Sequence, residues 1–103
     1  MPVPQVNGMR VISKRRLREF WERHVQAERG LTAWYNVALR AEWKSLADVR
    51  RDYSHADLDD DGLTVFNISG NKYRLSVDIY YKGKQIYIKK VETHAEYDKG
   101  NKK

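Results

Sequence analysis

The spacing of hydrophobic residues changes once along the chain, near its middle. In the first half, apolar side chains recur with the spacing of one face of an α-helix. The first such stripe consists of Leu17, Phe20, Trp21 and His24. The second consists of Leu31, Trp34, Val37, Ala38 and Ala41. Ser13 precedes the first stripe as a candidate N-cap, and Gly30 is expected to separate the two predicted helices.

Shorter elements flank these two helices. Ser45 and Asp48 have capping-box spacing and predict a third, short helix that ends near Tyr53. Residues 9–12 could form a short edge strand. Residues 1–8 contain both prolines and a glycine without periodicity, so we expect a flexible N-terminal extension. Residues 54–62 are rich in turn-forming side chains, and after them the pattern changes.

The second half has the period of β-strands. Residues 64–69 and 72–81 are predicted strands, and the second alternates with Tyr73, Leu75, Val77, Ile79 and Tyr81 on one side. A two-residue loop at Lys82 and Gly83 closes a hairpin with a third strand. On the apolar face this register pairs Ile79 with Ile86 and Val77 with Ile88. On the polar face it pairs Ser76 with Lys89 and Asp78 with Tyr87.

One fold class follows from these elements. The apolar face of the strands needs a cover, and the two amphipathic helices are the cover that the sequence offers. We therefore predict an α+β fold, with the N-terminal helices packed on one face of a small antiparallel β-sheet and the other face open. Residues 9–98 form a single domain, and residues 99–103 form a basic tail.

Composition narrows the possible functions. The chain has 103 residues and a formal net charge of +6, so it is long enough for one domain and favours an anionic partner such as nucleic acid. It contains no cysteine, which excludes disulfides, thiol catalysis and cysteine zinc sites. We found no apolar run of membrane-spanning length, so we expect a soluble cytoplasmic protein without a membrane partner.

Metal binding is not expected. Residues 57–62 resemble the first half of a calcium loop, but the position that needs a bidentate glutamate is Ile68, within a predicted strand. The segment is better explained as an acidic turn. His24, His55 and His94 lack metal-ligand spacing. No cofactor is therefore predicted.

The predicted open face carries cations beside aromatic rings. Lys72, Arg74, Tyr87 and Lys89 should project from it, with Asp78 as the acid between them. Such a face can simply be solvated. It also fits single-stranded RNA, because arginine offers a rigid fork to phosphate and tyrosine rings stack on bases.

A second candidate region follows the last strand. Thr93 and Glu96 have capping-box spacing, which assigns Glu96 a structural role or, alternatively, a catalytic one. His94 would open the helical turn, where the helix dipole favours a neutral imidazole that can accept a proton. The alternative for His94 is half-buried packing on the end of the sheet. Tyr97, one turn later, would lie over the same patch.

Several blocks of sequence together resemble HigB toxins of bacterial type II toxin–antitoxin systems, within the RelE-like mRNA interferase superfamily. The resemblance rests on residues 9–13, 34–35, 41–43, 65–68, 70–75 and 93–98, which include the runs GNKYRL and THAEYD. It implies a RelE-like fold and a metal-independent endoribonuclease that cleaves mRNA, in many members on the translating ribosome. It also implies a HigA-type helix-turn-helix antitoxin as partner, and operator DNA bound indirectly through the antitoxin complex.

The resemblance assigns roles to individual residues. It implies attack by the substrate's own 2′-OH, with Arg74 at the position of the strand arginine and Tyr97 at that of the C-terminal tyrosine. The predicted catalytic set is Arg74, Lys72, Lys89, His94 and Tyr97. The predicted RNA-binding residues are Asn71, Tyr87 and Lys90. Two positions depart from the family pattern, since Lys89 stands where arginine is usual and Ser69 where glycine is usual.

Two other classes of function would use the same basic surface. A non-catalytic RNA- or DNA-binding module would need the cations but neither His94 nor Tyr97. A pure interaction protein would present the surface to an acidic partner. Cleavage of RNA distinguishes the toxin from both.

Overall fold

The computed structural model describes the backbone of residues 8–101 and the side chains as far as residue 99. Its α-helices are α1 (Lys14–Arg23), α2 (Glu28–Arg40), α3 (Leu46–Asp52) and α4 (His94–Asn101), with a short 3₁₀ helix at Val25–Ala27. Its strands are β1 (Arg10–Ile12), β2 (Asp57–Leu58), β3 (Thr64–Ile68), β4 (Tyr73–Tyr80) and β5 (Gln85–Thr93). Most of the predicted N-terminal extension, residues 1–7, lies outside the described residues, as do residues 102–103 of the predicted basic tail.

The strands form one sheet in the order β1-β5-β4-β3-β2. The pairs from β5 to β2 are antiparallel, whereas the edge strand β1 runs parallel to β5. The α+β prediction is confirmed, and the predicted edge strand at residues 9–12 is confirmed at Arg10–Ile12. The sheet is mixed because β1 and β5 come from opposite ends of the chain, so no hairpin sets their direction. The two-residue strand β2 was not predicted.

The register of the central hairpin agrees with the prediction along most of its length. Ile79 pairs with Ile86, Val77 with Ile88 and Asp78 with Tyr87. The predicted pairing of Ser76 with Lys89 is wrong, because the register shifts between Ser76 and Val77 and Ser76 lies opposite Lys90. Lys89 is therefore the extra residue of a β-bulge.

The core lies between the sheet and the N-terminal helices. Leu17 of α1 and Leu31 and Trp34 of α2 are fully buried against the sheet side chains Phe66, Leu75, Val77, Ile86 and Ile88. The rings of Trp34 and Phe66 meet edge to face with centroids 5.4 Å apart. Each of these large side chains contributes about 1.5–3 kcal/mol when it leaves water. The predicted placement of the helices on one face is therefore confirmed.

The opposite face is less open than predicted. Val65 is 5% exposed and Ser76 is fully buried there, although neither faces the N-terminal helices. The face is thus closed at its centre, and α4 packs against β4 and β5. Exposed positions on this face include Asp78 and Tyr80 toward the hairpin turn and Lys90 opposite Ser76.

The predicted boundary between the first two helices is wrong, whereas the predicted N-cap of the first helix is in place. Gly30 does not separate the helices, since α1 ends at Arg23 and Gly30 lies within α2. A Cβ atom at Gly30 would lie 2.6 Å from Ser69 Oγ and 2.7 Å from Ile68 Cγ2, so glycine permits close packing of α2 on the β3–β4 turn. Ser13 does occupy the N-cap position, but it has a φ of 74° and its side chain makes no cap hydrogen bond.

The predicted third helix is confirmed. Ser45 Oγ accepts a hydrogen bond from the Asp48 amide at 3.4 Å, and the Asp48 carboxylate accepts one from the Lys44 amide at 2.8 Å. The acidic segment after this helix is used structurally. Asp57 forms a 2.8 Å ion pair with Arg50, and Asp59 Oδ1 accepts bonds from the amides of Asp61 and Leu63.

Candidate active site beside the C-terminal helix

The polar face of β4 and β5 carries a charged group next to α4. Arg74 pairs with Glu92 across the two strands, and Ser76 pairs with Lys90. Because alternate residues of a strand share a face, Lys90 and Glu92 lie on the same side as Arg74. Lys90 Nζ is 3.8 Å from Glu92 Oε1. The bulge therefore brings Lys90, rather than Lys89, beside the cross-strand partner of Arg74.

The guanidinium of Arg74 is fixed by its neighbours. Nη1 donates to the carbonyl oxygens of Asn71 at 3.2 Å and Tyr73 at 3.3 Å, and Nη2 donates to Asn71 Oδ1 at 3.0 Å. The guanidinium carbon also lies 5.5 Å from the centre of the Tyr97 ring, within cation–π range. An arginine has five N–H donors, so donors remain for an anion. Arg74 is half-buried and held in place before any ligand arrives.

The β3–β4 turn creates this arrangement. Ser69 and Gly70 both have positive φ, 55° and 70°, which reverses the chain between Ile68 and Tyr73. Glycine adopts such angles without strain, which explains why Ser69 is the position where the family pattern has glycine. The turn presents Asn71 to Arg74 and ends at Lys72, whose carbonyl accepts a 2.8 Å bond from the His94 amide. This bond ties the start of α4 to the turn.

The capping box at the start of α4 forms as predicted. The Glu96 amide donates to Thr93 Oγ1 at 3.1 Å, and the Thr93 amide donates to Glu96 Oε1 at 2.9 Å. The structural interpretation of Glu96 is thereby confirmed. The box fixes the direction in which the helix leaves β5, and so places Tyr97 over Arg74.

Sequence reasoning missed a partner of His94. Its Nδ1 lies 3.0 Å from Asp98 Oδ2, one helical turn later. A carboxylate at Nδ1 holds the proton of a neutral imidazole on that nitrogen and leaves the Nε2 lone pair as an acceptor. The His94 side chain keeps 41% of its exposure, so Nε2 chemistry with a ligand is sterically feasible. The available signal was the i, i+4 spacing of His94 and Asp98 directly after a capping box, which brings two such residues together if the capped turn continues as a helix.

Other predicted site residues lie apart from Arg74. Lys72 Nζ is directed to Gln26 Oε1, 3.5 Å away beside the first helices. Lys89 lines a cleft against α1. Tyr87 lies near the hairpin end, where its hydroxyl donates to Gln85 Oε1 at 3.2 Å. The structure thus brings together Arg74, Asn71, Tyr97 and Lys90, and His94 begins the helix that carries Tyr97. The catalytic and RNA-binding roles of these residues stay predictions, as do those of Lys72, Lys89 and Tyr87.

The described residues were also compared with the requirements of metal sites and of membrane-spanning helices. Among residues 8–101, no group of three histidine, cysteine or carboxylate side chains could hold a metal ion. Over the same residues, no helix is both long and apolar enough to span a bilayer.

Comparison with known families identifies the class of protein. The family model described as HigB_toxin, RelE-like toxic component of a toxin-antitoxin system, matches residues 27–100, which include the turn, the hairpin and α4. The chain belongs to the HigB toxin family. Membership of a family of toxic components implies an antitoxin as partner. The α+β architecture agrees with a RelE-like fold.

Curated relatives extend over most of the chain. The mRNA interferase toxin HigB of Escherichia coli strain K12 is 27% identical over 92 residues, covering 87% of this chain and 88% of the relative. The mRNA interferases HigB of Escherichia coli O157:H7 and Shigella flexneri match with the same identity and coverage. The similarity to these relatives therefore extends over a longer part of the chain than the match to the family model.

Proposed function

We propose that this HigB-family toxin is an mRNA interferase, an endoribonuclease that cleaves mRNA and thereby inhibits translation and growth. The observation that carries the proposal is the contact of the fixed Arg74 guanidinium with the ring of Tyr97. Helix α4, which carries Tyr97, also carries the His94–Asp98 pair. In support of the proposal, a guanidinium that can bind an anion lies against a tyrosine that can transfer a proton, and a histidine that can also transfer one begins the helix of that tyrosine. The names of the curated relatives support the same activity.

The reaction that fits these groups is attack by the RNA on itself. The 2′-oxygen of a ribose attacks the adjacent phosphorus, the P–O5′ bond breaks, and a 2′,3′-cyclic phosphate and a 5′-hydroxyl result. His94 Nε2 accepts the proton of the 2′-OH, and the Tyr97 hydroxyl supplies a proton to the leaving O5′. Arg74 offsets the negative charge that develops on the phosphoryl oxygens. No metal or other cofactor is required by this route.

The remaining cations act farther from the scissile phosphate. Lys90, on the same face as Arg74, contacts the neighbouring backbone, and Asn71 contacts RNA while it orients the arginine. Lys72, whose Nζ contacts Gln26, and Lys89, which lines the cleft against α1, add positive charge along the path of the RNA rather than forming one clamp with Arg74. Tyr87 offers its ring to a base toward the hairpin end.

The proposed cellular partners follow from the proposed activity. Cleavage takes place on mRNA in the ribosome, which supplies part of the in-line positioning of the 2′-OH. A HigA-type helix-turn-helix antitoxin neutralises the toxin, and the toxin meets operator DNA through that antitoxin. The protein acts in the cytoplasm.

Induced expression with mapping of mRNA 5′ ends tests the proposal. We expect growth arrest and new 5′ ends within coding regions, and neither with Arg74→Ala expressed at the same level. Wild-type protein that stops growth without new 5′ ends would contradict the nuclease activity. Binding of RNA without cleavage by purified protein and ribosomes would instead identify a non-catalytic RNA-binding module.

A further inference from the structure

One edge of the sheet is covered by a helix instead of a strand. The edge strand β1 pairs with residues Gln85, Ile86 and Tyr87 of β5 and extends no farther. The bulge at Lys89 lies immediately beyond this pairing. There Arg16 of α1 donates from Nη1 to the Lys89 carbonyl at 3.3 Å. Helix α1 therefore protects a strand edge that would otherwise be exposed.

A basic cleft opens between α1 and this part of β5. Its volume is about 200 Å³. Four cations line it, Arg16, Arg23, Lys89 and Lys90, and Glu19 is the carboxylate that lines it with them. Glu19 is 3.6 Å from Arg15, which is not among the lining residues. The cleft therefore has a large excess of positive charge on a concave surface, and such a shape concentrates the potential that attracts anions.

Three of the four cations that line the cleft have no ion-pair partner among the described residues. Within residues 8–101, no carboxylate lies at ion-pair distance from Arg16, Arg23 or Lys89, and Lys90 has a single contact of 3.8 Å with Glu92. An ordinary solvated face intersperses both signs of charge. Arg23 lies 5.9 Å over the ring of the buried Phe20, which holds its guanidinium at the wall of the cleft.

The bulge connects the cleft with the Arg74 surface. In a regular strand Lys89 and Lys90 would point to opposite faces. Because Lys89 is the bulged residue, both lysines line the cleft. Lys90 also lies opposite Ser76, on the face that carries Arg74. It is therefore shared by the two surfaces, and positive charge continues from Arg74 to the wall of α1.

We propose that the cleft between α1 and β5 binds the sugar–phosphate backbone of RNA away from the scissile phosphate. Arg16 and Arg23 would grip one or two phosphates through their planar forks, and Lys89 and Lys90 would add point charges. The backbone follows a track from Arg74 past Lys90 to α1. This inference rests on the proposed ribonuclease function. The phosphates belong to the cleaved mRNA or to ribosomal RNA, which have the same backbone chemistry.

The test compares two double variants with equal loss of charge on the same helix. Arg16→Gln with Arg23→Gln removes both arginines of the cleft. Lys14→Gln with Arg18→Gln is the control, because both residues lie on α1 and neither lines the cleft. The first probes are 2′-O-methyl oligonucleotides of about 4 and about 16 nucleotides, which bracket single-strand site sizes and carry no attacking 2′-OH. The second probe is the ribosome without mRNA, assayed by co-sedimentation.

If the phosphates belong to the mRNA, the cleft variant should bind the long oligonucleotide more weakly than wild type. The slope of the logarithm of the binding constant against the logarithm of the salt concentration should become shallower by about 0.7 per lost phosphate contact, or about 1.4 for two contacts. The short oligonucleotide and the control variant should behave like wild type. For ribosomal RNA as the source, the cleft variant should lose co-sedimentation and the control should keep it. Either result supports the inference.

Equal behaviour of the cleft and control variants in both RNA assays would overturn the inference. Loss of antitoxin binding alone by the cleft variant would also overturn it and assign the cleft to a protein partner. Cleavage of mRNA by the same wild-type preparation distinguishes failure of the cleft hypothesis from failure of the proposed ribonuclease function. Cleavage by wild type with no effect of the cleft variant on RNA binding rejects the cleft only, whereas absence of cleavage rejects the proposed function.

Discussion

The guanidinium of Arg74 lies over the ring of Tyr97, with its central carbon 5.5 Å from the ring centre. This contact joins strand β4 to helix α4. Along the chain the two elements are separated by the hairpin turn and strand β5. It gives Tyr97 two separable properties. The ring supports the arginine, and the hydroxyl can take part in proton transfer.

Two substitutions at Tyr97 separate these properties. Tyr97→Phe keeps the ring, so Arg74 should stay in place and RNA affinity should be unchanged, while single-turnover cleavage should fall by about 10²–10⁴-fold if the hydroxyl transfers a proton. Tyr97→Ala removes the ring as well and should weaken RNA binding in addition. A cleavage rate equal to wild type in Tyr97→Phe would assign the residue a purely supporting role.

Substitution of Arg74 tests whether charge alone is sufficient. Lysine retains the positive charge but loses the planar fork that bonds Asn71 and faces Tyr97, so Arg74→Lys should be impaired nearly as much as Arg74→Ala. Both proteins should unfold at temperatures close to wild type, because Arg74 is outside the core. The matched control is Lys82→Ala in the hairpin turn, with the same loss of charge as Arg74→Ala. Full toxicity of Arg74→Lys would show that a simple cation is enough.

The His94–Asp98 pair predicts a difference between two variants. His94→Gln removes the proposed proton acceptor and should reduce kcat by about 10²–10⁴-fold. Asp98→Asn leaves the imidazole but removes the carboxylate that fixes its tautomer, so kcat should fall less and KM should be unchanged. The double variant should be no worse than His94→Gln alone. Additive losses in the double variant would mean that Asp98 acts independently of His94.

The sequence predicted the apolar register of the hairpin but not its bulge. The period of two fixes which residues face the helices, so the pairs of Ile79 with Ile86 and Val77 with Ile88 follow directly. The bulge does have a signal in the hydrophobic pattern. Ile88 and Val91 both lie on the helix side with two lysines between them, whereas regular alternation allows one.

Tertiary contacts account for the other differences. Asp98 meets His94 through helical spacing, but the sequence predicts only a capped turn at this point, and the pair needs the longer helix that the structure shows. Gly30 was interpreted as a helix breaker because glycine has a low helix propensity. Its actual role, the close approach of α2 to Ser69, depends on contacts between distant parts of the chain, and local sequence patterns do not contain them.

Gly30→Ala tests that close approach. In an exposed helix this change would stabilise the protein by about 0.5–1 kcal/mol. Here the new methyl group would meet Ser69 Oγ and Ile68 Cγ2, so we expect a net destabilisation of about 1–3 kcal/mol in urea unfolding. Ala33→Gly, at an exposed position of the same helix, is the reverse control and should cost about 1 kcal/mol. A Gly30→Ala protein more stable than wild type would contradict the tight packing.

The chemical form of the RNA ends tests the proposed reaction itself. Attack by the 2′-OH produces a 2′,3′-cyclic phosphate and a 5′-hydroxyl, whereas attack by water activated on a metal usually produces a 5′-phosphate. We therefore expect fragments that polynucleotide kinase labels at the 5′ end without prior phosphatase treatment. A short RNA substrate that carries a single 2′-deoxyribose at the cleavage position should resist cutting there, because its nucleophile is missing.

Cleavage should continue when a chelator is present in excess over divalent ions, provided that the assay uses RNA and toxin without magnesium-dependent ribosomes. Fragments with 5′-phosphates, or cutting at the deoxyribose, would exclude the roles proposed for His94 and Tyr97.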